Sequence, residues 1–559
     1  MPDGSTAIEL TLAEQAALVQ ALARTLPSDG GRPARHIETH ISHVLLAGRH
    51  AYKIKKAMAT SFLDQGTLAR RRHACAEELR LNRRLAPDLY LDVAEIRGSP
   101  QAPRLAAPGE AAASGAEGPV VEVAVHMRVF DEEGLWDRLA ARGELRAADV
   151  DDLAVRLARF HAEAAAAAAD DPASPLGRPA QARQALLDSL ADLQGRAAGA
   201  GWPGEEGLAT LAGLCAWEAA AFARAAPAMA RRLAAGRVRE GHGDLHLGNV
   251  AREGGHCLVF DGIEFNEAFR WLDVMDEVAF MTMDLHAHGL PALAHRFANA
   301  YLEASGDYDG LRVFGYYLVH RALVRAKVAQ LRVEQAGGSE RGEALASAAR
   351  YLDLAGRLAG SPERPARPRA FFITHGLSGS GKTTLTQGLV EAAGAVRVRA
   401  DVERKRLAGL APLQPSSSAP GAGLYSAAMN EATQARLLAA ATEVVEGGWP
   451  VILDATFIRR HARDEARQCA ARLAVPFVIL RFDAAPGALL ERVRARAARG
   501  DDASEADEAV LAAQQRALEP LEADELPATF EVHPRVAAGE ATPTADWAPL
   551  LASLPPAKP

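Results

Sequence analysis

Eight residues, Gly376-Leu-Ser-Gly-Ser-Gly-Lys-Thr383, constrain this chain more than any other stretch. The apolar run Phe371–His375 precedes them, and TLTQGLVEAAG, with the composition of a helix, follows. A strand, a glycine-rich loop and a helix in that order wrap backbone N–H groups around a phosphate at the helix N-terminus. Gly376, Gly379 and Gly381 permit the wrap, with Ser378, Ser380 and Thr384 completing the cradle. Lys382 is placed to reach the β- and γ-phosphates, and Thr383 to hold Mg²⁺. Such a loop predicts an α/β domain with a mainly parallel sheet. Further strands are expected at Val396–Arg399, Val451–Leu453 and Pro476–Phe482, leading to Asp401, Asp454 and Asp483. The carboxyl ends of parallel strands are where ligands sit. Asp401 is therefore the candidate general base facing an acceptor hydroxyl, and Asp454 the candidate metal-water carboxylate. Arg492, Arg496 and Arg499 follow at helical spacing and predict a basic lid.

A second stretch, Gly241–Asn266, carries a separate chemistry. His242, Asp244 and Asn249 fall close together, with Asn249 five residues after Asp244, and the apolar run Cys257–Phe260 leads to Asp261-Gly262. This predicts a loop, a β-hairpin and a second acidic turn. Phosphoryl transfer uses one carboxylate to orient the attacking hydroxyl, here Asp244, and an amide with a second carboxylate to hold Mg²⁺, here Asn249 and Asp261. With His246 two residues after Asp244, the pattern resembles the aminoglycoside phosphotransferase and choline kinase branch of the protein-kinase superfamily.

That resemblance implies a strand lysine paired with a helix glutamate upstream. Lysine is scarce here: Lys53, Lys55, Lys56, Lys327, Lys382, Lys405 and Lys558 stand among 63 basic residues, so each invites a reason. Alternation along Ala51–Lys56 puts Lys53 and Lys55 on one strand face. YKIKK resembles the V-A-I-K-K form and favours Lys55, with Lys53 the close alternative. In the next helix, RRRHACAEELRLNRRLAP, the likeness favours Glu78 over Glu77. No G-x-G-x-x-G precedes the lysine strand. Glu38-Thr-His-Ile-Ser42 occupies its place, with Ser42 the only phosphate-facing candidate. VVEVAVHMRVF predicts a buried strand whose exit near Met127–Asp131 forms the interlobe hinge. Residues 98–118 predict a flexible insertion, Ala162–Ala169 a helix extension or linker, and His161 a packing residue. Glu264, Asp273, Asp276 and Asp284 are candidate contacts for a cationic substrate; for Asp273, Asp276 and Glu277, helix-terminal or polar-face positions are the stronger expectation.

The C-terminal half resembles small P-loop kinases: gluconate kinases, zeta toxins and the kinase domain of phage polynucleotide kinase. Carried over, Asp401-x-x-Arg404 makes Arg404 a phosphate ligand. Together the halves resemble a family of two-domain bacterial proteins, an aminoglycoside-phosphotransferase-like domain followed by a P-loop kinase-like ATPase domain. The expected fold class is a bilobal α+β kinase-like domain, with a mixed β N-lobe and helical C-lobe, and then an α/β P-loop kinase domain. The expected limits are residues 1–360, a Pro- and Arg-rich linker at 361–369, and residues 370–559. ATP and Mg²⁺ are the implied cofactors.

Net charge is −8, which weakens a nucleic-acid acceptor without excluding a local basic groove and leaves a small-molecule hydroxyl as the favoured acceptor. Cys75, Cys215, Cys257 and Cys469 form no C-x-x-C pair, so neither a cysteine zinc site nor a disulfide framework is expected. The polar, acidic N-terminus is unlike a signal peptide, and no apolar run has the length of a membrane span, so a cytoplasmic chain with no membrane partner is expected. Oligomeric state has no sequence signature here.

Overall fold

The computed structural model describes residues 9–26, 33–59, 63–106, 118–171, 174–197, 202–335, 337–360, 369–416, 423–499, 502–535 and 543–555. The expected linker falls largely on 361–368, outside the described residues, as do 107–117 of the expected insertion. The chain divides into two compact units: Met1–Leu145 with Glu163–Gly177 and Gly236–Glu277, and Arg146–Ala162 with Arg178–Ala235 and Val278–Pro559.

The first unit is built on six strands, all paired antiparallel, in the spatial order Arg35–Glu38, Ser42–Ala47, His50–Lys55, Val120–Arg128, Tyr90–Ser99, Ala102–Leu105. Val120–Arg128 lies inside the sheet and packs on both faces, which explains its largely apolar sequence, broken by Glu122. Val121 joins Leu18, Leu22, Leu45 and Ile54 in one cluster, and Val123 and Val125 join Leu68, Cys75 and Tyr90 in another. The helix Leu12–Thr25 covers the first face. It starts at a capping box, in which the Thr11 hydroxyl accepts from Glu14 N–H and Glu14 accepts from Thr11 N–H. The helix Leu68–Asn82 belongs to the second. A buried polar network ties both helices to the central strand. Gln15 Nε2 donates to Lys55 O and to Glu122 Oε2, both at 2.7 Å, while Arg71 Nε donates to Glu122 Oε1 at 2.9 Å. Gly98–Leu105 form a hairpin between the last two strands, so the first part of the expected insertion is ordered sheet.

The rest of this unit is the predicted loop and hairpin. Val250–Glu253 and His256–Val259 pair antiparallel around Gly254 and Gly255, both at positive φ, the tight two-residue turn that glycines make without strain. Val238–Glu240 pairs with Trp271–Asp273. The helix Ala147–Glu163 extends only two residues into the alanine-rich segment; beyond it the segment runs beside a strand, where Ala165 O accepts from Glu240 N–H at 2.9 Å and Ala167 N–H donates to Val238 O at 3.0 Å. Small side chains suit it to this close approach beside a strand.

The second unit holds a five-stranded, wholly parallel sheet in the order Val396–Arg399, Val451–Asp454, Phe371–His375, Phe477–Arg481, Thr529–Glu531. Phe372, Leu385, Leu389, Ile452 and Leu480 form a core beneath it. The long helices Gly204–Ala234, Leu311–Gln335 and Gly338–Ala359 are in the same unit. The helix Pro291–Ser305 meets the sheet's edge strand, where Arg397 N–H donates to Asn299 Oδ1 at 2.7 Å. His161 packs as expected, its Nδ1 2.8 Å from Tyr301 Oη. The fold class is thus the expected one: an antiparallel sheet with a helical region, then an α/β P-loop architecture. No described helix is long and apolar enough to cross a membrane.

Candidate functional site

In the first unit, the strand His50–Lys55 and the helix Leu68–Asn82 bring both lysines onto one glutamate. Lys53 Nζ lies 2.8 Å from Glu78 Oε1 and 2.5 Å from Asp261 Oδ1. Lys55 Nζ pairs with Glu78 Oε2 and Glu264 Oε1 and is wholly buried. Burial alone would disfavour these charges. Asp261 and Glu78 nevertheless raise the Lys53 pKa, and Lys53 and Lys55 hold the Glu78 and Asp261 carboxyls below the usual range. For Glu264, burial prevails over Lys55 and raises the pKa. The favoured Lys55 is therefore enclosed between two glutamates, and Lys53 is the lysine that joins the helix glutamate to Asp261. Alternation placed both on one face but carried no signal of depth.

Asp261 takes φ +63°, a left-handed conformation costly for a non-glycine residue. Its N–H donates to Tyr90 Oη at 3.0 Å, and Gly262 N–H donates to Asn82 Oδ1 at 2.7 Å. Strain of this kind gathers where a side chain must be aimed. Asn249 Nδ2 donates to Asp244 O at 2.9 Å and to Asp244 Oδ2 at 3.1 Å, and His246 Nε2 stands 3.5 Å from Asp244 Oδ2. A buried side chain helps to hold the loop: Glu277 Oε1 accepts from the N–H groups of His242 and Gly243. Glu277 stands in the first turn of the helix Val274–Ala287, the expected helix-terminal position, but is fully buried instead of lying on a polar face. Asp244, Asn249, Asp261, Lys53 and Glu78 thus stand on connected elements of one unit, with carboxylates and an amide suited to a divalent cation.

Several acidic candidates have structural partners instead of an open acceptor space. Glu264 is buried against Lys55. Asp273 accepts from Met275 N–H at 2.9 Å, and Asp284 accepts from the Tyr351 hydroxyl at 2.5 Å. Asp276 is buried. Ser42 is also fully buried, which removes it as a phosphate contact. At the expected hinge, Val129 N–H is bonded to Arg49 O at 2.9 Å.

In the second unit, the loop after Phe371–His375 opens the helix Lys382–Ala393. A Cβ at Gly376 would come within 2.6 Å of Phe482 O, and one at Gly379 within 2.8 Å of Leu489 O, so both positions require glycine. Among the described residues, Ser380 Oγ is buried without a hydrogen-bond partner. Lys382 Nζ donates to Gly376 O and Leu377 O at 2.9 and 2.8 Å, and burial lowers its pKa to about 8 against the pull of Asp454 and Asp401. Thr383 Oγ1 donates to Asp454 Oδ2 at 2.7 Å. This donor set fits a nucleotide phosphate and its cation.

A cavity of about 880 Å³ adjoins the loop, and Lys382, Thr383, Asp401, Arg404, Asp454 and the lid arginines all line it. Asp401 lies in the first turn of the helix Ala400–Leu407, 2.7 Å from Arg404 Nη1. Burial raises its pKa, but Arg404, a Ser504 hydrogen bond and Arg399 outweigh that and leave it a low-pKa carboxylate. The Arg404 guanidinium sits 5.4 Å from the centroid of the Tyr425 ring. Arg492 Nη1 donates to Gly379 O at 3.2 Å and Arg496 Nη2 to Ala506 O at 3.0 Å, so the basic helix Pro486–Arg499 is anchored to the loop. Sequence reasoning missed Arg399, which lines the cavity and bridges Glu303 and Asp502, and Gln514, whose Oε1 accepts from Ser378 N–H. Both sit outside any motif; Arg399's position at a strand end was the available signal.

Residues 371–521 match the AAA domain family. Over 484 residues, 86% of this chain and 89% of the relative, the chain is 31% identical to "Uncharacterized protein Rv2004c" of Mycobacterium tuberculosis (strain ATCC 25618 / H37Rv), and equally to "Uncharacterized protein Mb2027c" of Mycobacterium bovis. Among solved structures, the choline/ethanolamine kinase family protein from Mesorhizobium loti superposes with a TM-score of 0.33 at 11% identity, covering 62% of this chain and 100% of that one. The sugar kinase from Janibacter sp. HTCC2649 gives 0.23 at 21% identity, covering 29% and 84%.

Proposed function

The chain belongs to the family of the mycobacterial protein Rv2004c, and on that footing we propose that it is an ATP-dependent phosphotransferase with two nucleotide sites, each serving a hydroxyl acceptor. The observation that carries the reading is the C-terminal cavity, where Thr383 on Asp454, Lys382 and the ionised Asp401 line one space. Mg²⁺-ATP bound there would supply the phosphoryl group. Lys382 and the loop N–H groups bind and orient the phosphates, and Thr383 and Asp454 hold the cation or its water. Asp401 takes or orients the acceptor hydroxyl proton, with Arg404 against the anionic oxygens and Arg492 and Arg496 excluding water above them. In the N-terminal site Asp244 orients the hydroxyl and Asn249 with Asp261 holds Mg²⁺. The Lys53–Glu78–Asp261 bridge supports Lys53, rather than Lys55, as the residue that meets the phosphates.

The experiment is ATP turnover by the full chain across a panel of hydroxylated metabolites and 5′-hydroxyl oligonucleotides, for Asp244→Asn, Lys382→Ala and the double variant. Each single variant is expected to lose one set of acceptors by about 10²–10⁴-fold and keep the other. Unchanged turnover in both would refute two catalytic sites. A buried Ser42 and a turn without glycine favour one other reading, a regulatory ATP sensor in the N-terminal unit. It would appear as Lys382→Ala abolishing all turnover while Asp244→Asn still binds ATP and alters only the rate.

A further inference from the structure

The strands Arg35–Glu38 and Ser42–Ala47 gather three metal-ligating side chains apart from either candidate site. His36 and Glu38, two residues apart, share a strand face, and Glu38 is the direct cross-strand partner of His43. One ligand atom from each of His36, Glu38 and His43 lies within 4.8 Å of the others. His36 Nε2 and His43 Nδ1 are 3.1 Å apart. A tetrahedral zinc centre with bonds of about 2.0–2.1 Å sets neighbouring ligands roughly 3.3 Å apart, so the two imidazoles already stand at ligand spacing. The exposed Glu38 closes the remaining distance by a side-chain rotation. His43 is buried, so its ring is held in place by the packing around it. Lys56 Nζ donates to Glu38 Oε1 at 2.7 Å and so restrains the carboxylate beside the two imidazoles.

We propose that His36, Glu38 and His43 bind one divalent transition-metal ion of the zinc class, with water in the remaining position. Two imidazoles and one carboxylate suit zinc, cobalt, nickel or copper, whereas Mg²⁺ and Ca²⁺ prefer all-oxygen sets. The ion cross-links the two strands flanking the Glu38–Ser42 turn, the segment standing where a kinase of this type would carry its glycine loop. A bound ion would fix that turn without glycines.

The test uses the full chain, stripped with a chelator and titrated with Zn²⁺ in excess Mg²⁺, the metal then counted by elemental mass spectrometry after gel filtration. Substitution with Co²⁺ reports coordination through its visible d–d bands. The native chain is expected to hold one more zinc than His36→Ala or Glu38→Gln, with affinity falling roughly 10–100-fold or more in each and the tetrahedral cobalt bands lost. Both substitutions are at exposed positions, and circular dichroism confirms that the variants are folded. Equal zinc content and affinity in the native chain and His36→Ala, or no zinc retained by the native chain, would overturn the proposal.

Discussion

Lys382 shows how a single residue carries both binding and pH dependence. It is buried, with its pKa lowered to about 8, and it donates to two loop carbonyls. A lysine depressed in this way is charged below about pH 8 and neutral above. An arriving phosphate favours the ammonium and raises the pKa, so nucleotide binding takes up protons. At pH 8 the free chain is half protonated and the complex fully so, giving an uptake of about half a proton per nucleotide. Calorimetry in two buffers of different ionisation enthalpy measures it. Affinity should fall by up to about tenfold per pH unit above the free pKa. Lys382→Arg, permanently charged, should abolish both effects, and uptake that persisted in that variant would assign it elsewhere. The residue-scale legibility of the two sites differs for a related reason. The P-loop side chains follow from spacing, because backbone glycines fix where Lys382 and Thr383 point. Lys53 and Lys55 share a face and a charge, and only depth separates them: Lys55 is sealed against Glu264, and Lys53 reaches Asp261.

At the scale of elements, the sequence reads well wherever one periodicity governs and poorly where a long-range partner does. The strand Val120–Arg128, the hairpin around Gly254-Gly255 and four of the five parallel strands lie close to their predicted positions, since local burial and turn chemistry decide them; the short edge strand Thr529–Glu531 had no such signal. Glu277, Tyr90 and Asn82 hold the candidate-site segments through backbone N–H groups 34, 171 and 180 residues away, and no local pattern reveals that. The same holds for Arg71 and Glu122, which look like ordinary helix and strand charges and prove to be a wholly buried pair joining the helix Leu68–Asn82 to the central strand. Removing one member strands the other charge, at a cost of about 3 kcal/mol or more. Arg71→Met should therefore lower the urea midpoint clearly, and because that helix carries Glu78 it should also weaken N-terminal turnover. Adding Glu122→Gln should recover part of the stability. If the double variant is as unstable as the sum of the singles, the two side chains are not coupled.

At the scale of the molecule, the Pro- and Arg-rich stretch at 361–369 invites a cut there, yet the parallel sheet shares its compact unit with helices that precede it. Val396–Arg399 is an edge strand, and an edge offers unpaired backbone groups to any neighbouring chain. Here the helix Pro291–Ser305 meets that edge: Asn299 Oδ1 takes the Arg397 N–H, and Glu303 pairs with Arg399 at 3.0 Å. Arg296 Nη1 reaches Glu391 at 2.8 Å, and the Phe314 and Trp449 rings, both buried, meet at 5.5 Å between centroids. A fragment of residues 370–559 keeps every P-loop motif but loses these partners. Uncovering Trp449 and its apolar surroundings costs roughly 1.5–3 kcal/mol per large side chain, against a total domain stability of about 5–15 kcal/mol. Glu303 also anchors Arg399, which lines the cavity, so the loss extends to the site itself. Hydrogen exchange read by mass spectrometry should find peptides spanning Val396–Arg399 protected in the full chain and exchanging at least tenfold faster in the fragment. Asn299→Ala in the full chain should reproduce part of that acceleration. Equal protection in fragment and full chain would mean that the α/β fold closes its own edge and that the preceding helices are dispensable to it.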